Sequence, residues 1–128
     1  MKIAATIARY LLGVIFLFFG SNSLLHFITP PPQQPRNAGV FLQVLMDAHY
    51  FFPVSMVMLI SAALFLANRY VALGLTLLGP VLVNILLFHL LMAPGSIWLG
   101  LFATLLWLLV FWQHRAAFAG LFRARLEV

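Results

Sequence analysis

The stretch that decides the fold is YVALGLTLLGPVLVNILLFHLLM, residues 70–92, which holds no charged residue over 23 positions. A helix of about 20 apolar residues crosses the hydrocarbon core of a bilayer. Further apolar stretches lie at about 3–27, 51–67 and 97–112. The sequence therefore predicts an all-α membrane protein, a four-transmembrane-helix bundle that occupies residues 1–128 as one integral membrane domain.

The composition argues against soluble and thiol-dependent classes of protein. The chain is 65% hydrophobic and only 7% charged, too little polar surface to cover the core of a soluble domain of this size. Its net charge of +5 comes from basic residues at the ends of the apolar stretches rather than from one patch, so we do not expect a nucleic-acid partner. The absence of cysteine excludes disulfides and thiol catalysis.

The basic residues predict the orientation of the chain in the membrane. If both termini face the cytoplasm, only Arg36 falls on the outer side, as the positive-inside rule favours. The expected basic residues at the inner interface, besides Lys2, are Arg9, Arg69, Arg115, Arg123 and Arg125. Arg9 lies about two turns inside the first stretch, where it either extends to the headgroups or faces the interior of the bundle.

Two short segments are predicted outside the spans. The proline-rich residues 29–35 cannot form a helix, and residues 37–49 predict a short outer amphipathic helix between spans one and two. At the other end of the chain, residues 114–128 alternate apolar side chains with arginines. This pattern favours a cytoplasmic surface helix on anionic lipid.

Glycine and proline predict how the spans pack. Gly13 and Gly20 lie close to one face of the first span and allow another helix to approach, either within the chain or from a second copy in a homo-oligomer. Residues 68–69 leave room only for a tight hairpin, and Pro80 predicts a kink in the third span.

Four segments, taken in order, resemble the DoxX-like family of small four-helix bacterial membrane proteins. They are GSNSLLHF at 20–27, AHYFFP at 48–53, ANRYVALGL at 67–75 and GPVLVNILLFHLLMAPG at 79–95. The resemblance implies a multi-pass protein of the bacterial inner membrane. Some members are associated with oxidoreductase systems, including a thiosulfate:quinone oxidoreductase subunit. MVMLISAAL at 56–64 lacks the acidic residue expected in the second helix of many relatives, so chemistry that depends on that carboxylate is in doubt.

Asn84 and His89 are the strongest pair of candidate site residues on the third span, because intramembrane polar groups often mark function. Asn84 could donate a hydrogen bond to a ligand or a quinone carbonyl, with His89 as a proton carrier at the outer rim. The alternative is that Asn84 bonds a carbonyl freed by Pro80 or a neighbouring helix. The two residues are five positions apart and point about 140° apart on an ideal helix.

A second group of polar residues is expected at the outer mouth of the bundle. This group consists of Asn22, His26, Asp47, His49 and His89. It could close the bundle as a polar cap or line a vestibule for a ligand or quinone. Its spacing matches no metal motif, so no metal is predicted. No catalytic constellation is visible, and whether the protein is an enzyme stays open.

These observations lead to three hypotheses for the function. The first is an accessory or anchor subunit associated with a membrane redox system, with no cofactor of its own and with quinone as a candidate contact. The second is a stand-alone binder or carrier of a small lipophilic molecule. The third is a purely structural membrane interaction protein.

Overall fold

The computed structural model describes residues 2–25 and 36–125, and this part of the chain is helical without a strand. The prediction of an all-α protein is confirmed. His26 and the proline-rich residues 29–35 lie outside the described residues. The helices are α1 (Lys2–Leu25), α2 (Arg36–Asp47), α3 (Phe51–Ala67), α4 (Val71–Met92) and α5 (Trp98–Gln113), with 3-10 helices at Pro94–Ser96 and Arg115–Phe122.

Between two and four segments of this structure can cross a membrane. Helices α1 and α4, with 24 and 22 residues, are each long and apolar enough alone. The shorter helices α3 and α5 pass the same test only together with a neighbour across a sharp bend, 89° between α2 and α3 and 82° between α5 and the following 3-10 helix. The structure thus indicates a membrane protein, and the four-span bundle remains a prediction.

Helices α1, α3, α4 and α5 surround one core. Helix α1 packs against α3 and α5, and α4 packs against the same two helices. Each helix turns one apolar stripe inward, with residues three or four positions apart, as packed helices require. The largest fully buried apolar side chains are Leu12, Phe65, Leu75, Leu78 and Val110.

Two glycines of α1 allow a close contact with α3. A Cβ atom added to Gly13 would lie 2.8 Å from Cδ2 of Leu66, and one added to Gly20 would lie 3.0 Å from Cδ2 of Leu59. Both glycines are buried. The sequence left open whether they serve contacts within the chain or between copies, and the structure places both contacts within the chain.

The turn between α3 and α4 takes only three residues because Asn68 adopts a left-handed conformation, with φ of 53°. The amide of Arg69 donates to the carbonyl of Leu64 at 3.2 Å, and that of Asn68 donates to Phe65 at 3.3 Å. This pair of bonds is the Schellman motif, which ordinarily carries glycine at the left-handed position. The turn therefore tolerates asparagine at a conformational cost.

This turn yields a first prediction. Asn68→Gly should keep or raise the thermal midpoint of the protein in mild detergent, since glycine adopts the left-handed conformation without strain. Asn68→Val should lower stability by about 1–2 kcal/mol, because a β-branched residue opposes that conformation. Asn37→Val, at an exposed helical position, serves as the control. Equal losses in both Asn68 variants would show that the amide, rather than the backbone conformation, matters.

The chain beyond α5 differs from the predicted surface helix over 114–128. Its described part is a 3-10 helix, Arg115–Phe122, and residues 126–128 lie outside the described residues. The side chain of Arg115 donates to the carbonyl of Trp112 at 2.7 Å and thereby helps to end α5. Phe118 then packs back on Phe111, with ring centres 5.0 Å apart. These local contacts turn the chain away from the axis of α5.

Candidate functional site

Asn84 lies on the exposed side of α4, and its side chain bonds its own helix. Its Nδ2 donates to the carbonyl of Pro80 at 2.9 Å. The sequence predicted a carbonyl freed by Pro80, or a neighbouring helix, as the partner of Asn84. The acceptor is instead the carbonyl of Pro80 itself, within the same helix. A side-chain amide has two N–H donors and one acceptor oxygen. In the part of the chain that the structure describes, the second N–H and Oδ1 have no hydrogen-bond partner.

His89 has a different environment from Asn84, although both belong to α4. Its half-buried ring places Nδ1 at 2.9 Å from the carbonyl of Ile85, a contact in which Nδ1 carries the proton and donates. The ring of Phe88 lies edge-on to His89 at 5.1 Å and meets Phe41 of α2 at 5.7 Å. The structure thus does not direct Asn84 and His89 toward one pocket.

Of the predicted group at the outer mouth, the structure describes Asn22, Asp47, His49 and His89. Asp47 is exposed and accepts a hydrogen bond from Nε2 of Gln43 at 2.9 Å. His49 is exposed, with φ of 55°, and ends α2 in a left-handed turn. Asn22 is half-buried on α1, and His26 lies outside the described residues. Within residues 2–25 and 36–125, no three histidine or carboxylate side chains come together to hold a metal ion.

The best-defined polar feature is Arg9, at the opposite end of the helices. Only 6% of Arg9 is exposed, so it is packed against the other helices rather than extended away from them. Its Nη1 donates to the carbonyl of Phe65 in the last turn of α3. Its guanidinium also lies 4.3 Å from the ring centre of Tyr10. The other four arginines predicted at the interface are exposed: Arg69, Arg115, Arg123 and Arg125.

A cleft of about 220 Å³ opens in front of Arg9. It lies between the first turns of α1 and the ends of α3 and α5. Its lining residues are Lys2, Ala5, Thr6, Arg9, Asn68, Gln113 and His114. The sequence did not predict this cleft, because its walls come from three distant segments. The one signal in the sequence was a charged residue inside an apolar stretch. Such a residue is costly unless the fold gives it hydrogen-bond or charged partners.

Comparison of the chain with models of known protein families, with curated proteins and with solved structures finds no match. The resemblance to the DoxX-like family therefore stays a prediction that rests on the four segments quoted above.

Proposed function

We propose that the protein is an accessory or anchor subunit of a membrane assembly, and that it holds a partner subunit through the outward face of α4. In this proposal the chain crosses the bacterial inner membrane four times as a four-helix bundle, with both termini in the cytoplasm. The observation that carries it is the exposed amide of Asn84.

The second half of α4 is poorly covered by the rest of the chain. Along this helix the last buried residue is Leu82. Beyond it the exposed apolar side chains are Val83 at 56%, Leu87 at 47%, Leu90 at 61% and Leu91 at 71%. Lipid tails or a second helix can cover such a surface equally well, so the apolar residues alone do not distinguish between them.

Asn84 favours a helix over lipid. It lies about 4 Å from the midpoint of α4 at 1.5 Å per residue, so in a spanning helix it sits near the bilayer centre. The lipid tails offer no partner for its free N–H and Oδ1, and an unpaired amide in an apolar medium is costly. A transmembrane helix with a hydrogen-bonding side chain would satisfy both groups. Such interhelical bonds contribute about 1–2 kcal/mol in model helices.

The kind of partner follows from the resemblance to the DoxX-like family, which implies a membrane redox system. A quinone held between α4 and the partner would meet the same N–H of Asn84. A stand-alone binder of a lipophilic molecule has less support. A second cleft lies along α2, lined by Arg36, Asn37, Val40, Phe41 and Val44. Neither this cleft nor the one in front of Arg9 is lined by Asn84 or His89.

The test is the variant Asn84→Leu, purified gently from the native membrane and weighed by native mass spectrometry. We expect the wild type to retain a partner protein in fixed stoichiometry and the variant to lose most of it, with about tenfold weaker association. Helical content and thermal midpoint should persist. Thr76→Val is the matched control, since Thr76 is on the same face and its hydroxyl already donates to Ala72 at 2.9 Å.

Three outcomes would overturn the proposal. A partner retained equally by Asn84→Leu would remove Asn84 from the contact. A wild type that forms only copies of itself would make the protein a structural homo-oligomer. A wild type that carries a quinone or another lipophile without any partner would make it a stand-alone binder.

A further inference from the structure

We propose that the cleft in front of Arg9 binds a phosphate-type anion, either the headgroup of an anionic phospholipid or free phosphate. This site lies at the Lys2 end of the helices and does not depend on the partner face of α4. Four features of the cleft carry the inference: its charge, the burial of Arg9, the helix ends that meet there and its neutral hydrogen-bond donors.

Within the described ranges, the charge of the cleft is positive. Lys2 and Arg9 both line it, together with His114. Within the described ranges no carboxylate belongs to its wall, and Asp47 lies on α2, away from the lining segments. Two cations on one small concave surface raise the local concentration of anions.

Arg9 is the buried and firmly packed residue of the site. It is 94% buried, from an exposed fraction of 6%, so its position is set by packing rather than by solvent. Its interactions within the described residues are with the neutral carbonyl of Phe65 and the ring of Tyr10. A guanidinium carries five N–H donors, and the carbonyl uses one nitrogen of the group. A buried cation without a counter-charge is costly, and an anion in the cleft would compensate it.

The helix ends around the cleft also favour an anion. Lys2, Ala5 and Thr6 belong to the first two turns of α1, near its N-terminus, where the helix dipole is positive. The carboxyl ends of α3 and α5 oppose an anion, but several carbonyls in their last turns already accept hydrogen bonds. The backbone amide of Asn68 and Nη1 of Arg9 both donate to the carbonyl of Phe65 in α3, and the backbone amide of His114 donates to those of Val110 and Phe111 in α5.

Neutral donors and volume complete the fit to a phosphate group. Thr6, Asn68 and Gln113 contribute a hydroxyl and two amides to the wall. A volume of about 220 Å³ equals roughly seven water molecules at about 30 Å³ each, enough for a phosphate with a partial hydration shell. Arg9 contributes planar donors that match two phosphate oxygens at once.

The test compares the full-length protein with two variants, Arg9→Met and Arg115→Gln. Methionine keeps much of the apolar volume and removes the charge. Arg115 is an exposed arginine at the same end that does not line the cleft, so its variant controls for the loss of one positive charge. Each protein is titrated in neutral detergent with phosphatidylglycerol, with phosphatidylcholine and with inorganic phosphate, while thermal midpoint and bound mass are measured.

We expect phosphatidylglycerol or inorganic phosphate to raise the midpoint of the wild type, and phosphatidylcholine to have little effect. Arg9→Met should bind the active ligand at least about tenfold more weakly, since hydrogen bonds to charged groups are strong, whereas Arg115→Gln should bind as the wild type. A response to phosphatidylglycerol alone identifies a lipid headgroup as the source, and a response to inorganic phosphate identifies a free anion.

The proposal is overturned if neither anion raises the midpoint, or if the two variants lose binding equally. If Arg9→Met does not fold, Lys2→Gln provides the same comparison from the exposed rim of the cleft. Partner loss in Asn84→Leu with anion binding intact would separate this site from the proposed function.

Discussion

Gly13→Leu is expected to separate α1 from α3 and to lower the stability of the protein by about 1–3 kcal/mol or more. An added Cβ would already lie 2.8 Å from both Cγ and Cδ2 of Leu66 and 3.4 Å from the carbonyl oxygen of Ala62. The larger side chain of leucine must displace the side chain of Leu66 or move the helices apart. Thermal unfolding in mild detergent, followed by circular dichroism, measures the effect.

Gly39→Leu is the control for this prediction. Gly39 lies on α2, and nothing stands within 4 Å of a Cβ atom added there. Since leucine favours the helix over glycine, this variant should be as stable as the wild type or slightly more so. A stable Gly13→Leu protein, with the midpoint of the control, would contradict the close crossing of α1 and α3.

Phe65→Ala is the second variant with a large expected effect, a loss of about 3 kcal/mol in stability. Phe65 has no exposed surface, and its ring lies against Gly74 of α4, where an added Cβ would be 2.9 Å from Cε1. Truncation of a buried phenylalanine costs about 3–5 kcal/mol. We expect the lower end of this range. In a bilayer the cost comes from the lost packing contacts, and the free energy of transfer from water adds little because the surroundings are apolar.

Phe52→Ala, in the same helix, is the matched control. Phe52 is 61% exposed, so its truncation leaves no cavity in the core. Both variants are unfolded by titration with sodium dodecyl sulfate, and their midpoints are compared with that of the wild type. Equal shifts in the two variants would show that Phe65 does not occupy the centre of the helix packing.

Much of the helical architecture could be predicted from local sequence. The apolar stretch at 70–92 and the helix α4 that the structure shows, Val71–Met92, nearly coincide. Residues 51–67 were predicted and observed with the same bounds. Apolar length and the turn residues between the stretches are properties of neighbouring residues, so they can be read without knowledge of the fold.

The polar residues were less predictable than the helices. Asn84 and His89 could be recognised as polar residues in an apolar stretch. The sequence did not indicate which side of α4 the other helices leave exposed. Arg9 could face lipid headgroups or the interior, and its sequence neighbours do not distinguish the two. Its position follows from the end of α3, 56 residues away, whose carbonyl at Phe65 accepts its hydrogen bond.

The sequence by itself determined that this protein is helical and has apolar helices suited to a membrane, because helix length, hydropathy and turn residues are local properties of the chain. Only the tertiary structure decided that Gly13 and Gly20 contact α3 and that Asn84 is exposed on α4. It also decided that Arg9 is buried and lines a basic cleft. The reason is physical. A side chain's role depends on the atoms it meets, and in a packed helical protein those atoms belong to segments far away in the sequence.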